Sequence, residues 1–83
     1  MTATRDDIKH WIGEAQKRSA THLIIALDQY DYDNYPIYIN SDEDVRTKLP
    51  DGSNMQGYDE VYSFTGKHTI VEQLAERRAI HFD

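Results

Sequence analysis

The sequence contains no cysteine among its 83 residues. This absence excludes disulfides, thiolate zinc sites and cysteine nucleophiles, and it is compatible with a reducing cytoplasm. No apolar run approaches the ~18 residues that a transmembrane helix needs. The first residues, MTATRDDIKHW, carry acids where a signal peptide needs a basic flank and an apolar segment. We therefore expect a cytoplasmic protein that does not enter a membrane.

Motifs that bind phosphate or activate a nucleophile are also missing. The four glycines form neither a G-x-G-x-x-G loop nor a P-loop, and no serine stands in a G-x-S-x-G context. The four histidines include no H-x-x-x-H pair. A carboxylate pair for acid–base catalysis could combine Glu60 with Asp28, Asp31 or Asp59, but nothing in the sequence sets their separation. We predict a protein that is not an enzyme and that holds no metal or cofactor.

Negative charge is abundant and is concentrated in the middle of the chain. Fifteen acids against nine bases give a net charge of −6. Residues 28–60 contain nine of these acids and only two bases, which is a local net charge of −7. This segment repels a phosphate backbone, so direct nucleic-acid binding is disfavoured and a partner with a basic surface is favoured. The alternative is that the acids only keep the surface solvated.

Two helices are predicted near the ends of the chain. Thr4 and Asp7 have capping-box spacing, and acids there suit the positive end of a helix dipole. The apolar stripe expected for this first helix is Ile8, Trp11, Ile12 and Ala15. A last helix is expected from about Thr69, with Arg77 and Arg78 near its C-terminal end.

Three strands and a short helix are predicted between them. The run His22–Leu27 is apolar throughout, which is typical of a central strand covered on both faces. A second strand is expected at residues 36–39 and a third at 58–64, in which one face is formed by Tyr58, Glu60, Tyr62 and Phe64. Between these strands we expect a short helix, capped and anchored by Ser41, Asp44, Val45 and Leu49. The predicted fold class is α+β: a single two-layer domain over residues 1–83, with a three-stranded, mainly antiparallel sheet and the order α-β-β-α-β-α.

The segment between the first two strands has the highest concentration of residues that could bind a partner or an ion. Residues 28–35 read DQYDYDNY, and tyrosines offer rigid contact area while aspartates pair with Lys or Arg of a partner. The predicted partner-binding residues are Asp28, Tyr30, Asp31, Tyr32, Asp33 and Tyr35, with a second acidic patch of Asp42, Glu43 and Asp44. One alternative is that the tyrosines pack on the sheet and the acids cap turns. Another is an irregular cation site formed by Asp28, Asp31 and Asp33, because the EF-hand pattern does not fit.

Basic residues suggest a second kind of site. A small ligand such as a phosphate or a signalling nucleotide could bind a cluster of Arg46, Lys48, Arg77 and Arg78, and homo-oligomerisation would deepen such a site. The alternative is that these cations suit a helix C-terminus and neutralise nearby glutamates. His22, at the head of an apolar strand, is expected to be a hydrogen-bonded, partly buried histidine.

Several stretches of the chain resemble small uncharacterised acidic proteins of phages and prophages. They include THLII at 21–25, DQYDY at 28–32, YPIYI at 35–39 and EQLAERRA at 72–79. The resemblance implies no named activity, but it implies a setting in which small acidic proteins block a host protein. The function expected is a non-enzymatic interaction protein that binds a basic surface of a host protein. Its concrete form is an anti-defence inhibitor, such as an anti-CRISPR protein that mimics nucleic acid.

Overall fold

The computed structural model describes residues 2–83. Its regular elements are α1 (Arg5–Lys17), β1 (His22–Asp28), β2 (Asp33–Ile39), β3 (Gln56–Ser63) and α2 (Ile70–Ala75). Single 3-10 turns lie at Val45–Thr47 and Ser53–Met55. The strands form one antiparallel sheet in the order β2-β1-β3, which confirms the predicted α+β fold class. No helix within residues 2–83 is long and apolar enough to cross a membrane.

The hydrophobic core lies on both faces of β1. Leu23 and Ile25 belong to a first cluster, which contains the buried stripe of α1 and is also contacted by α2. Ile24 points to the opposite face and belongs to a second cluster with Ile39 and Val61. Consecutive strand residues alternate between faces, so an uninterrupted apolar run needs a core on each side. The prediction that β1 is the central strand is confirmed.

Both helices begin at reciprocal caps. Thr4 Oγ1 accepts from the Asp7 backbone N–H, and an Asp7 carboxylate oxygen accepts from the Thr4 N–H, as the sequence predicts. Thr69 and Glu72 form the same arrangement at α2. The hydrogen bonds from Thr69 lower the pKa of Glu72, which keeps this carboxylate charged at the positive end of the helix.

The short middle helix is reduced to the single 3-10 turn Val45–Thr47. Its N-cap is Asp44, whose carboxylate accepts from the Arg46 N–H at 3.0 Å, and not the predicted Ser41. Proline disfavours helical backbone at the residue before it, so Pro50 leaves no room for a second turn. The predicted anchors, Val45 and Leu49, still pack on the second cluster.

β2 begins three residues earlier than predicted, at Asp33 instead of Pro36. Asp33, Asn34 and Tyr35 pair with the last three residues of β1. Asp and Asn are depleted in strands, so local propensity gave no sign of this extension. An edge strand tolerates them, and it also tolerates Pro36. The connection between β1 and β2 is therefore a tight turn of residues 29–32.

β3 contains a bulge at Asp59. Two consecutive residues of β1 pair with Glu60 and Tyr58, which leaves Asp59 as the extra residue. A bulge moves the following residues to the other face of the sheet. Tyr58 accordingly packs on the second cluster, whereas Tyr62 and Phe64 pack in the first. The prediction that Tyr58 shares a face with the alternate residues up to Phe64 is therefore wrong.

The C-terminal tail closes the core and adds a short parallel bridge to β3, between Val61 and Ile80. Val61 donates its N–H to the Ala79 carbonyl at 2.8 Å and accepts from the His81 N–H at 2.9 Å. Ala79 is buried in the first cluster, and Phe82 packs against the second.

Candidate functional site

Large apolar side chains are exposed at the end of the sheet where β1 turns into β2. Tyr30 and Tyr32 lie in this turn and are 77% and 65% exposed, and Met55, just before β3, is 48% exposed. The Gln29 N–H donates to the Met55 carbonyl at 2.7 Å, which holds the two segments side by side. We call Tyr30, Tyr32 and Met55 the tyrosine tip. Large apolar side chains that are exposed on neighbouring segments are typical of an interaction site.

The backbone of the tyrosine tip adopts defined and costly conformations. Tyr32 and Met55 have φ values of 57° and 58°, in the left-handed region that bulky residues rarely occupy. Such a conformation costs on the order of 1 kcal/mol and persists only where the surrounding structure holds it. Asp28 supports the turn by accepting the Tyr30 N–H at 2.9 Å. The tip therefore presents its aromatic side chains from an ordered turn.

Acidic residues surround the tyrosine tip. Asp28 and Asp33 face each other at the last pair of the β1–β2 ladder, and Asp31 is exposed within the turn. Asp51 accepts from the hydroxyl and backbone N–H of Ser53, and these bonds lower the pKa of its carboxyl. Segments 28–35 and 51–57 contain no Lys or Arg. The charged residues of these two segments are therefore all negative.

Tyr35 does not belong to this surface. It lies within β2, is half-buried, and donates its hydroxyl to the Gln56 side-chain oxygen on β3. For Tyr35 the structure therefore supports the alternative interpretation, in which a tyrosine packs on the sheet. The exposed part of the predicted contact segment is the turn, residues 29–32, together with Asp33.

The second predicted acidic patch lies at the opposite end of the sheet. It follows β2, and a strand of seven residues separates it from the tyrosine tip by roughly 20 Å. Glu43 accepts the Asn40 N–H and pairs with Lys48 at 3.2 Å, and these contacts lower the pKa of its carboxyl. Asp44 caps the 3-10 turn, and Asp42 is exposed. The structure therefore does not join this patch to the tyrosine tip.

The four basic residues of the predicted anion cluster are also separated. The guanidinium of Arg46 stacks 4.8 Å from the ring centre of Phe82, which packs on the second cluster. Lys48 pairs with Glu43. Arg77 and Arg78 instead line a cleft beside the first cluster, together with Arg5. The predicted site of four cations is therefore not formed.

This cleft has a volume of about 340 Å³ and lies between the start of α1, the β3 bulge and residues 77–78. We call it the arginine cleft; its lining includes Arg5, Ile8, Ile25, Asn34, Arg77 and Arg78. Asn34 links three segments at one side of it. Its amide nitrogen donates to an Asp59 carboxylate oxygen at 2.9 Å, and its oxygen accepts the Ala3 N–H at 2.7 Å.

A buried carboxylate forms the inner side of the arginine cleft. One oxygen of Glu60 accepts the Tyr62 hydroxyl at 2.9 Å and lies 3.5 Å from a guanidinium nitrogen of Arg5. The other oxygen accepts the Ala79 N–H at 2.9 Å. Of the three aspartates that the sequence allows as a carboxylate partner of Glu60, Asp59 also lines the cleft, whereas Asp28 and Asp31 do not. Both oxygens of Glu60 are engaged in contacts within the fold.

His22 lies at the start of β1. His22 is buried, with its ring nitrogens 3.0 Å from the Thr21 hydroxyl and 3.0 Å from the Phe82 carbonyl oxygen, which confirms the expectation of a hydrogen-bonded histidine.

Within residues 2–83 no three His, Cys, Asp or Glu side chains converge as a metal-ligand group. The irregular cation site at Asp28, Asp31 and Asp33 therefore has no formed ligand set.

The burial of Tyr62 makes the stability of the fold sensitive to alkaline pH. Burial, followed by the hydrogen bond to Glu60 and the charge of that carboxylate, raises the pKa of Tyr62 above its ordinary value of 10.0. Above pH 10 the unfolded chain loses this proton while the folded chain keeps it, so rising pH favours unfolding. We expect Tyr62 to contribute no pH dependence below about pH 10 and to make stability fall above it.

Urea unfolding between about pH 8 and pH 11 checks this expectation. The Tyr62→Phe variant should lose stability less steeply with pH than the wild type does. Tyr30→Phe, which removes an exposed hydroxyl, is the matched control and should keep the wild-type slope. Equal slopes for the wild type and Tyr62→Phe would contradict the assignment.

Comparison with known proteins identifies no relative. The chain matches no family model, no curated protein and no solved structure. The resemblance to small acidic proteins of phages and prophages stays a prediction. The tyrosine tip and the arginine cleft are therefore the features from which a function is inferred.

Proposed function

We propose that this protein is a non-enzymatic interaction protein that binds a basic surface of another protein through the tyrosine tip. The observation that carries the proposal is the exposure of Tyr30, Tyr32 and Met55 at one end of the sheet, on segments 28–35 and 51–57, whose charged residues are all acidic. Tyrosines are enriched among the residues that dominate binding energies, and they pair well with arginine. Carboxylates around them add attraction to Lys and Arg of the partner and speed association.

The position of the tip indicates the shape of the partner. A turn at the end of a hairpin is convex, so it fits a concave basic surface better than a flat one. A basic groove that otherwise holds a polyanion has both properties. This is the physical basis on which we propose an anti-defence function by nucleic-acid mimicry, with a phage origin and a host-cell cytoplasmic location as parts of the same proposal.

The size of the tip sets an expectation for affinity. Three large side chains cover at most a few hundred square ångströms, which is less than the ~800 Å² per partner of a standard interface. Charge must therefore supply much of the attraction. We expect association that weakens markedly as ionic strength rises, because salt screens exposed charges beyond about 8–10 Å.

Capture from a bacterial lysate tests the proposal. The tagged chain is immobilised, the lysate is applied at low salt, and the retained protein is eluted at high salt and identified by mass spectrometry. We expect the retained protein to carry a basic groove. Retention that does not depend on salt would contradict electrostatic docking.

Variants then locate the contact on this chain. Replacing Tyr30 and Tyr32 together with alanine should weaken binding of the captured protein at least ~10-fold, because exposed aromatic anchors commonly contribute more than 1 kcal/mol each. Val71→Ala, which shortens an equally exposed apolar side chain on α2, should leave the dissociation constant unchanged.

A second pair of variants separates local pairing from overall charge. Asp31→Asn and Asp42→Asn remove the same charge from exposed positions at opposite ends of the sheet. At moderate salt only Asp31→Asn should weaken binding, since Asp42 lies more than a Debye length from the tip. If both variants weaken binding equally, either the contact lies elsewhere on the protein or the attraction depends only on the net charge of the chain.

A further inference from the structure

We propose that the arginine cleft binds a small organic oxyanion: a carboxylate or phosphate monoester attached to an apolar body. The site is distinct from the tyrosine tip and does not depend on the function proposed for it. The cluster predicted from the sequence combines Arg77 and Arg78 with Arg46 and Lys48. In the structure, Arg77 and Arg78 instead line one cleft with Arg5.

The charges of the cleft favour an anion although the protein as a whole is acidic. The charged side chains that line it are Arg5, Asp59, Glu60, Arg77 and Arg78. Arg5 and Glu60 offset one another, and the remaining oxygen of Glu60 is occupied by a backbone N–H. Two arginines and one aspartate are left, so the cleft is locally positive within a chain of net charge −6.

The two remaining arginines are available in different ways. Arg78 donates to the backbone carbonyls of Asp59, at 2.6 Å, and Tyr58, at 3.3 Å. These neutral acceptors orient the guanidinium without cancelling its charge. Arg77 is exposed and forms no hydrogen bond or ion pair with any other residue of the described chain, 2–83. One guanidinium is therefore pre-oriented and the other is free, and both match the geometry of an oxyanion.

The apolar lining argues for an organic ligand over a bare ion. Ile8 and Ile25 are buried core residues, and they also border the cleft. A volume of about 340 Å³ lies at the lower end of ligand pockets, which span roughly 300–1,000 Å³. The cleft therefore suits a single ring or a short chain with one anionic group. The amide of Asn34, held by Ala3, Ala26 and Asp59, stands beside this space.

Nitrogen-15 NMR titration of the whole chain tests the proposal with defined probes. Benzoate and phenyl phosphate carry the ring and the anion, benzyl alcohol carries the ring alone, and inorganic phosphate is the bare ion. We expect benzoate and phenyl phosphate to shift the Ala79 backbone amide and the Asn34 side-chain amide in a saturable way. Benzyl alcohol and inorganic phosphate should each bind at least ~10-fold more weakly, because each lacks one of the two contacts.

Two variants make the test specific to the cleft. Arg77→Gln should weaken binding of phenyl phosphate about 10-fold while leaving the melting temperature unchanged, since Arg77 makes no contact that the fold needs. Lys67→Gln removes the same charge from an exposed position outside the cleft, and it should keep the wild-type affinity. The proposal is overturned if the two cleft amides do not shift at high probe concentration. Equal weakening by both variants, or equal affinity for benzyl alcohol, would also overturn it.

Discussion

Replacing Gln73 with leucine is expected to lower the free energy of unfolding by about 3 kcal/mol. Gln73 is fully buried on α2. Its side chain bonds the backbone of Ser63, the last residue of β3. Its amide nitrogen donates to the carbonyls of Ser63, at 2.8 Å, and His68, at 3.0 Å. Its oxygen accepts the Ser63 N–H at 2.8 Å. One side chain thus supplies the partners that a further strand would give to Ser63.

The magnitude follows from the groups that leucine would leave unpaired. Leucine has a similar volume, so the change opens little cavity, but one N–H and two carbonyls lose their partner. A buried polar group without a partner costs roughly 1–3 kcal/mol. A chain of this length has about 4–12 kcal/mol of stability in total, so the change removes a large fraction of it.

Urea unfolding measures this effect directly. Gln16→Leu makes the same chemical change at an exposed position of α1, and it should alter stability by less than about 0.5 kcal/mol. A Gln73→Leu variant within 1 kcal/mol of the wild type would mean that water or a rearranged backbone replaces the three hydrogen bonds.

Glu60→Ala is expected to have a comparable effect, a loss of about 3 kcal/mol. Glu60 is 7% exposed. Without its carboxylate, the buried Tyr62 hydroxyl loses its acceptor, and so does the Ala79 N–H that helps to hold the tail on β3. Arg5 loses its ion pair at 3.5 Å, but it still donates to the Tyr62 hydroxyl and the Glu76 carbonyl and is half exposed, so its share is small.

The matched control is a carboxylate of the same type on the surface. Glu14 pairs with Lys17 at 3.7 Å on α1, and Glu14→Ala should cost no more than about 0.5 kcal/mol. The proton exchange of the Ala79 amide provides a second measurement, because the loss of Glu60 should open the tail first. Equal stability losses in the two variants would show that the buried carboxylate is not the anchor of the tail.

The tyrosine tip is partly predictable from the chain. Tyr30, Asp31 and Tyr32 stand between two strand-forming runs, so their exposure follows from local pattern. Met55 is distant in sequence, and it reaches the tip because β3 pairs with β1 at that end. The separation of Asp42–Asp44 from the tip has the same origin, since the direction of β2 carries that patch to the other end of the sheet.

The other differences between prediction and structure arise where strand pairing outweighs a local sequence preference. Asp33 and Asn34 have low strand propensity, but the ladder with β1 extends the strand over them. The bulge at Asp59 reverses the face of Tyr58, and alternation alone cannot reveal an extra residue. Nothing in the sequence indicates that Gln73 is buried, because an isolated glutamine in a helix is ordinarily exposed.

The sequence by itself determined the capped first helix, the central strand, the α+β class and the acidic, aromatic turn. These features depend on contacts within a few residues: capping spacing, hydrophobic period and turn composition. Only the tertiary structure decided the start of β2, the face of Tyr58, the burial of Gln73 and the meeting of Arg5 with Glu60, which lie 55 residues apart in the chain. Those outcomes depend on which distant backbone groups pair, and the free energy of such pairing is not carried by any short stretch of sequence.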